Sequence, residues 1–322
     1  MFEAVKSLGT VSRAEFLLPN LGSLIMGLAW GAIPSTSILD LVAMMLLSFS
    51  IINLSSAIGA QVNTFSDREL DSKDHRKKQL VEAINSFGAC LLKKVLVIEF
   101  ALTLVLVFVF MAIQQKPILL LLWIIGISLG YAYSAPPLRL KSRSWVAPVT
   151  LILVLAVFPV LFAYYSFTSE MNPFFILSLV GLALTVYGVI IPTEIRDYFG
   201  DKAMDIETMT VRLGLAKASL LGIVLLTLGA VFTGTAFILE WTCMQHSWLS
   251  VFLLAIPAAV LFVLRKIMKL YSLSKQLDPS NSQKSVAEDI VNLSAHNPQW
   301  IMLVTQTYSL MSIILLVSKF LF

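Results

Sequence analysis

Charge is what this sequence has least of. Asp, Glu, Lys and Arg make up 13% of its 322 residues, where a soluble globular domain carries about 25%. A chain this poor in charge cannot clothe itself in hydrated side chains, so a water-soluble fold is excluded. Cysteine is nearly absent. Cys90 and Cys243 lie far apart, beside different apolar segments, match no zinc or redox spacing, and read as two unpaired thiols. No basic stripe with interleaved aromatics occurs, which excludes nucleic acid as a partner. The opening MFEAVKSLGTVSRAEF has no apolar core before Phe16 and no clear cleavage site. It reads as a segment retained on the cytoplasmic side rather than a signal peptide.

What the chain has is hydrophobicity, at 58% of residues. A membrane-spanning helix needs about 20 mostly apolar residues, and nine such stretches are predicted, at 16–34, 40–62, 95–113, 117–133, 146–166, 173–192, 217–239, 247–264 and 299–320. The third and fourth are separated only by QQKP. They form either two helices joined by a tight turn at Lys116 and Pro117, or one long interrupted segment. The N-terminal segment and the second, fourth, sixth and eighth connections together hold 21 of the 23 basic residues, leaving Lys116 and Lys319 on the other side. The excess of Lys and Arg marks the cytoplasmic face. The expectation is an all-α, multi-pass protein of the cell membrane. A single domain over 1–322 is predicted, with helices arranged around a central apolar cavity that has a polar cytoplasmic mouth. The connections on the opposite face are short and nearly uncharged, with no visible chemistry. The stretch 265–298 reads as a cytoplasmic linker, its SKQLDPSNSQKS run being rich in turn formers. Gly126 and Gly130 form a GxxxG pair that reads as close helix packing.

The chemistry-bearing residues gather on the basic side. In AQVNTFSDRELDSKDHRKK, Asn63, Asp67 and Asp71 recur every four residues. If the second span continues as a helix through them, all three share one face. The end of the sixth span repeats the device in IIPTEIRDYFGDKAMD, with Asp197 and Asp201 four apart and Asp205 a turn further on. Carboxylates one turn apart repel unless a cation bridges them, and oxygen donors of this kind suit Mg²⁺. Carboxylates, a divalent ion and Lys or Arg together are the set needed to hold a diphosphate.

These residues carry a family resemblance. The chain resembles the UbiA superfamily of intramembrane prenyltransferases, whose members have nine transmembrane helices and two aspartate-rich motifs. NTFSDRELD, from Asn63 to Asp71, is similar to the first motif, and DYFGD, from Asp197 to Asp201, to the second. TMTVRLG (Thr208 to Gly214) and GYAYSAPPLRLK (Gly130 to Lys141) look like the segments after the second motif and after the fourth helix. Two departures stand out. Thr64 occupies a position where the family usually has Asp, and HRKKQLVEA follows the first motif where many members have Arg-Pro.

The resemblance implies a prenyltransferase that moves a prenyl group from a polyprenyl diphosphate to a lipophilic acceptor within the lipid bilayer. The acceptor would be a quinone-precursor aromatic ring or a membrane-lipid type. It implies that Asn63, Asp67 and Asp71 bind one Mg²⁺ and that Asp197 and Asp201 bind a second, these five being the catalytic set. Arg139 and Lys141, together with Arg68 and Lys202, would contact the diphosphate, although basic residues here also serve as positive-inside anchors. Tyr131 and Tyr133 would face an allylic cation, or lie at the interface as tyrosines commonly do. Lys73, Arg76, Lys77 and Lys78 read as a solvated charge run. Glu99 lies within the third span and faces a polar cavity or snorkels outward. Two other functions are open on sequence: a UbiA-like isoprenoid cyclase, and a cation-coupled transporter. A transporter would place its ionisable groups near the bilayer midplane.

Overall fold

The computed structural model describes residues 2–33, 37–72, 78–203, 206–277 and 284–321. Lys73, Arg76, Lys77 and Asp205, part of the SKQLDPSNSQKS run and the side chain of Lys78 fall outside what is described. The described residues form helices and no strand: α1 (Phe2–Val11), α2 (Leu17–Gly31), α3 (Ile38–Asp71), α4 (Lys78–Phe87), α5 (Ala89–Gln114), α6 (Pro117–Ser134), α7 (Val146–Ile152), α8 (Phe158–Phe167), α9 (Pro173–Ala203), α10 (Met209–Leu213), α11 (Leu215–Cys243), α12 (Ala255–Gln276), α13 (Lys284–Ser294) and α14 (Asn297–Leu321).

The chain is an all-α, multi-pass membrane protein. Among the described residues, eight helical segments are long and apolar enough to cross a bilayer. In the region of the first expected span, α2 is a shorter apolar helix of 15 residues, about 22 Å long against a hydrocarbon core of about 30 Å. The QQKP ambiguity resolves into two helices. Gln115 takes a left-handed φ of 53° after α5, and Pro117 opens α6, where its missing N–H costs nothing. The fifth span runs through α7 and α8, with one π-helical turn at Leu153–Val157 between them.

Two compact units divide the chain. The first comprises Met1–Leu140 and Phe158–Ser169, and its core gathers Leu24, Ile51, Val107, Phe110, Leu119, Trp123 and Phe162. Helices in lipid gain little from burying apolar surface, so they pack through small residues. A Cβ added at Gly27 or Gly31 would lie 2.6 Å from the carbonyl oxygen of Val160 or Tyr164, respectively, which fixes α2 against α8. Gly126 behaves otherwise than its GxxxG spacing suggested. Its neighbour is the Phe158 side chain, at 3.7 Å or more from an added Cβ, so a ring rather than a backbone fills that side. The connection after α3 also has more structure than a charge run. There α4 packs its apolar face on α1, with Val11, Ala83, Ile84 and Leu92 buried together and Ser7 hydrogen-bonded to Ser86 at 3.0 Å.

The second unit comprises Lys141–Val157 and Glu170–Phe322. Its spine is the pair α9 and α11. A Cβ at Gly181 would stand 2.8 Å from the Gly229 carbonyl, and one at Gly188 would stand 2.9 Å from the Leu226 nitrogen. From α14, Tyr308 shares a 2.9 Å hydrogen bond with Thr185.

Lys116 and Lys319, the two basic residues set apart from the rest, are both engaged. Lys116 donates to the Tyr165 and Ser166 carbonyls at 3.0 and 3.5 Å, capping α8, and burial pushes its ammonium below the usual lysine range. Lys319 lies 3.9 Å from Glu240, which also accepts from Asn172 at 2.9 Å. Each unit thus holds a polar contact of its own that the sequence did not announce.

Candidate functional site

Helix α3 has 34 residues and is about 51 Å long, roughly 20 Å more than the hydrocarbon core requires. Its surplus turns carry Asn63, Asp67 and Asp71. Because the helix is unbroken through Asp71, all three lie on one face. Asp67 is 8% exposed and Asp71 5%. A carboxylate withdrawn this far from water is costly unless compensated. At Asp67 the compensation comes from the first unit itself: Arg139 Nη2 donates to Oδ1 at 3.0 Å. Arg139 adopts φ 38°, a left-handed conformation uncommon outside glycine. Its N–H bonds the Ala135 carbonyl at 3.0 Å, closing the turn that folds the guanidinium back onto α3. Asn63 Oδ1 accepts from Ser134 at 2.8 Å, fixing the amide's orientation. Thr64 is buried and donates to the Ala60 carbonyl of its own helix at 2.8 Å.

The second acidic end belongs to α9. Pro192 lies inside this helix and removes one backbone donor, without ending it. Asp197 is clasped by its neighbour Arg196, with Nε to Oδ1 at 3.0 Å and Nη2 to Oδ2 at 3.2 Å. Asp201 is half-buried, and its carbonyl accepts from Ile206 N at 2.9 Å. Lys202 is exposed, its ammonium 5.8 Å from the centre of the Tyr198 ring.

The remaining expected site residues fall as follows. Arg68, Lys141 and Tyr133 are half-buried. Tyr131 is 58% exposed and lines an apolar cavity of about 430 Å³ in the first unit, with Ile58, Val62, Phe100, Trp123 and Ile127. Glu99 faces a polar neighbour, accepting from Gln61 Nε2 at 2.8 Å. One residue was passed over. Glu194 accepts from Thr210 Oγ1 at 2.7 Å and from the Tyr187 hydroxyl at 3.3 Å. Its spacing was the available signal, since it precedes Asp197 by three residues and Asp201 by seven, on the same helical stripe.

Among the described residues, no group of three or more His, Cys, Asp or Glu side chains forms a ready metal cage. The donors are instead an amide and carboxylates: Asn63, Asp67 and Asp71 on α3, and Asp197 and Asp201 on α9. Such an oxygen-only set fits a hard divalent ion.

The UbiA prenyltransferase family matches residues 18–280 of the chain. No curated protein matches it in sequence. Among solved structures, a UbiA homologue from Archaeoglobus fulgidus bound to GPP and Mg²⁺ is 19% identical, with 93% of this chain and 99% of that one covered and a TM-score of 0.63. A digeranylgeranylglyceryl phosphate synthase structure is 17% identical, with 97% and 99% covered and a TM-score of 0.63. The apo UbiA homologue from Aeropyrum pernix K1 is 13% identical, with 89% and 95% covered and a TM-score of 0.59. At these identities the likeness is one of fold.

Proposed function

Since the chain belongs to the UbiA prenyltransferase family, we propose that it transfers a prenyl group from a polyprenyl diphosphate to a lipophilic acceptor, dependent on Mg²⁺ and releasing diphosphate. The acceptor class is a quinone-precursor aromatic ring or a membrane-lipid type, and the whole chain acts as one catalytic domain. The observation that carries this reading is the α3 face, where Asp67 and Asp71 are buried in line with Asn63 and Asp67 is braced by Arg139. A row of oxygen donors suits a hard divalent ion, and a guanidinium beside it suits the anion that such an ion holds. Neighbours of this fold bound to GPP or DMAPP with Mg²⁺ support the same reading.

In this proposal Asn63, Asp67 and Asp71 hold one Mg²⁺, Asp197 and Asp201 hold a second, and both sets are needed for the same reaction. When bound, Mg²⁺ draws charge off the leaving diphosphate. Arg139, Lys141, Arg68 and Lys202 neutralise its oxygens. The apolar wall around Tyr131 gives an isoprenoid a place out of water, and Tyr131 and Tyr133 offer ring faces to the developing cation. Limiting water protects that cation from hydrolysis. The excess of basic residues on the acidic-end side supports a cytoplasmic mouth.

The test is an assay of the purified chain in lipid nanodiscs with Mg²⁺, labelled prenyl diphosphates of several lengths, and a panel of lipophilic acceptors. The expected result is a labelled adduct and one diphosphate per turnover. Diphosphate release with a cyclised hydrocarbon and no adduct would replace transfer by cyclisation. No diphosphate release with any donor would overturn the reading.

A further inference from the structure

Glu194 is a carboxylate that the proposed chemistry leaves without a task. It lies 21 residues into α9 from Pro173, about 32 Å along the helix, and so near the membrane boundary. Its stripe leads on to Asp197 and Asp201, which raises the question of whether it is a third metal ligand. The hydrogen bonds answer otherwise. Oε2 accepts the Thr210 hydroxyl at 2.7 Å and Oε1 accepts the Tyr187 hydroxyl at 3.3 Å. Both oxygens are thus held by hydroxyl donors, and the shorter bond comes from the next helix.

That next helix is short. Its five residues (Met209–Leu213) follow a cap in which Thr208 Oγ1 accepts from Val211 N at 3.3 Å, and they end at Gly214 with φ 79°, where glycine escapes the strain of a left-handed backbone. A single turn of helix has little stability of its own, so its position depends on what it is fastened to. It carries Arg212, whose guanidinium lies 5.9 Å from the centre of the Trp145 ring. The backbone closes onto α9 through Ile206 N to the Asp201 carbonyl at 2.9 Å.

We propose that Glu194 is a positioning residue: by gripping Thr210 it docks α10 on α9, holding Ile206 against the Asp201 carbonyl and keeping Arg212 at the polar end of the unit. This rests on the reading that α9 handles a diphosphate there. The prediction is a change in substrate affinity more than in turnover, because the latch shapes the site without touching the reacting atoms.

The experiment uses the full chain in nanodiscs. Amide hydrogen exchange is followed over 208–214, with α11 as the internal control for folding, and kcat and KM are measured for a labelled prenyl diphosphate. A charge-assisted bond lost from a local opening equilibrium corresponds to about ten- to a hundredfold faster exchange. That acceleration is expected over 208–214 in Glu194→Ala and Thr210→Val, no greater in the double variant than in the singles. KM for the diphosphate should rise about tenfold with kcat within about threefold, the split that marks lost binding rather than lost chemistry. Glu194→Gln and Thr210→Ser, which keep an acceptor and a donor, should recover most of both. Unchanged exchange over 208–214 in Glu194→Ala would overturn the latch. Faster exchange with unaltered KM would reduce Glu194 to a structural role and overturn its part in the reaction. A raised Mg²⁺ requirement in Glu194→Gln would make it a metal ligand instead. If the wild-type chain releases no diphosphate, the transferase reading fails, while the exchange comparison still judges the latch.

Discussion

The two acidic ends present the same residues at the same spacing in different surroundings. On α3, Asp67 and Asp71 are nearly out of water, and Asp67 is braced by Arg139, which is 72 positions away in sequence. On α9, Asp197 keeps a side chain 27% exposed and is clasped by Arg196, the residue before it. Among the contacts described, Asp67 is held by a residue distant in sequence and Asp197 by its neighbour on the same helix. A carboxylate compensated from a distance depends on the fold around it, whereas one compensated by its neighbour keeps its partner wherever the helix goes. The α3 end should therefore be the more demanding of a bound cation and the more sensitive to loss of its partner.

Removing metal should have the largest effect. With Mg²⁺ chelated by excess EDTA, diphosphate release should fall to background at both ends alike and return on adding Mg²⁺ back. Full turnover in EDTA would leave the oxygen-donor sets without a role. Next come the carboxylates themselves. Asp67→Asn or Asp201→Asn should each lower kcat by about 10²–10³, the scale of losing one contributor to charge stabilisation in a transition state. The measurement is single-turnover diphosphate release.

Arg139→Ala sharpens the contrast. It removes a charged partner of the largely buried Asp67 and should cost about 1–3 kcal/mol of stability, toward the lower figure because the Arg139 side chain is itself 41% exposed. Arg196→Ala, beside the better-hydrated Asp197, should cost less than 1 kcal/mol or so by the usual worth of half-exposed pairs. Thermal or denaturant melts of the two variants check the ordering, and equal losses would erase the distinction between the ends. The smallest change is expected at Lys202. Its ammonium is exposed and lies over Tyr198, a contact of about 0.5–1 kcal/mol at exposed sites. Lys202→Ala should therefore leave stability within that margin, and KM for the prenyl diphosphate reports its share in holding the anion.

Much of this was legible in the sequence because its signals are local. Apolar run lengths placed the spans, and the fourfold spacing of Asn63, Asp67 and Asp71 needed only a helix long enough to align them, which α3 provides. What escaped depends on contacts between distant segments. Nothing near Arg139 announces that a left-handed residue after Pro136 and Pro137 will turn its guanidinium onto Asp67. Glu194 was hidden because its partners, Tyr187 and Thr210, carry no charge. Helix α4 was missed because KQLVEAINSF follows a run of basic residues, and its apolar face is satisfied by α1 rather than by lipid. Gly126 misled because a GxxxG spacing gives the chance of close approach, and only the neighbour decides whether it is used.

The account's central claim is that one reaction, the release of diphosphate, needs both acidic ends. The most direct test compares Asp67→Asn, Asp201→Asn and the double variant in diphosphate release from a labelled prenyl diphosphate, with folding of each checked by melting. Groups that act as a unit are grossly non-additive, so the double variant should lose about as much rate as either single one. A loss in the double variant equal to the product of the two single losses would show that the ends act independently, and would contradict the account.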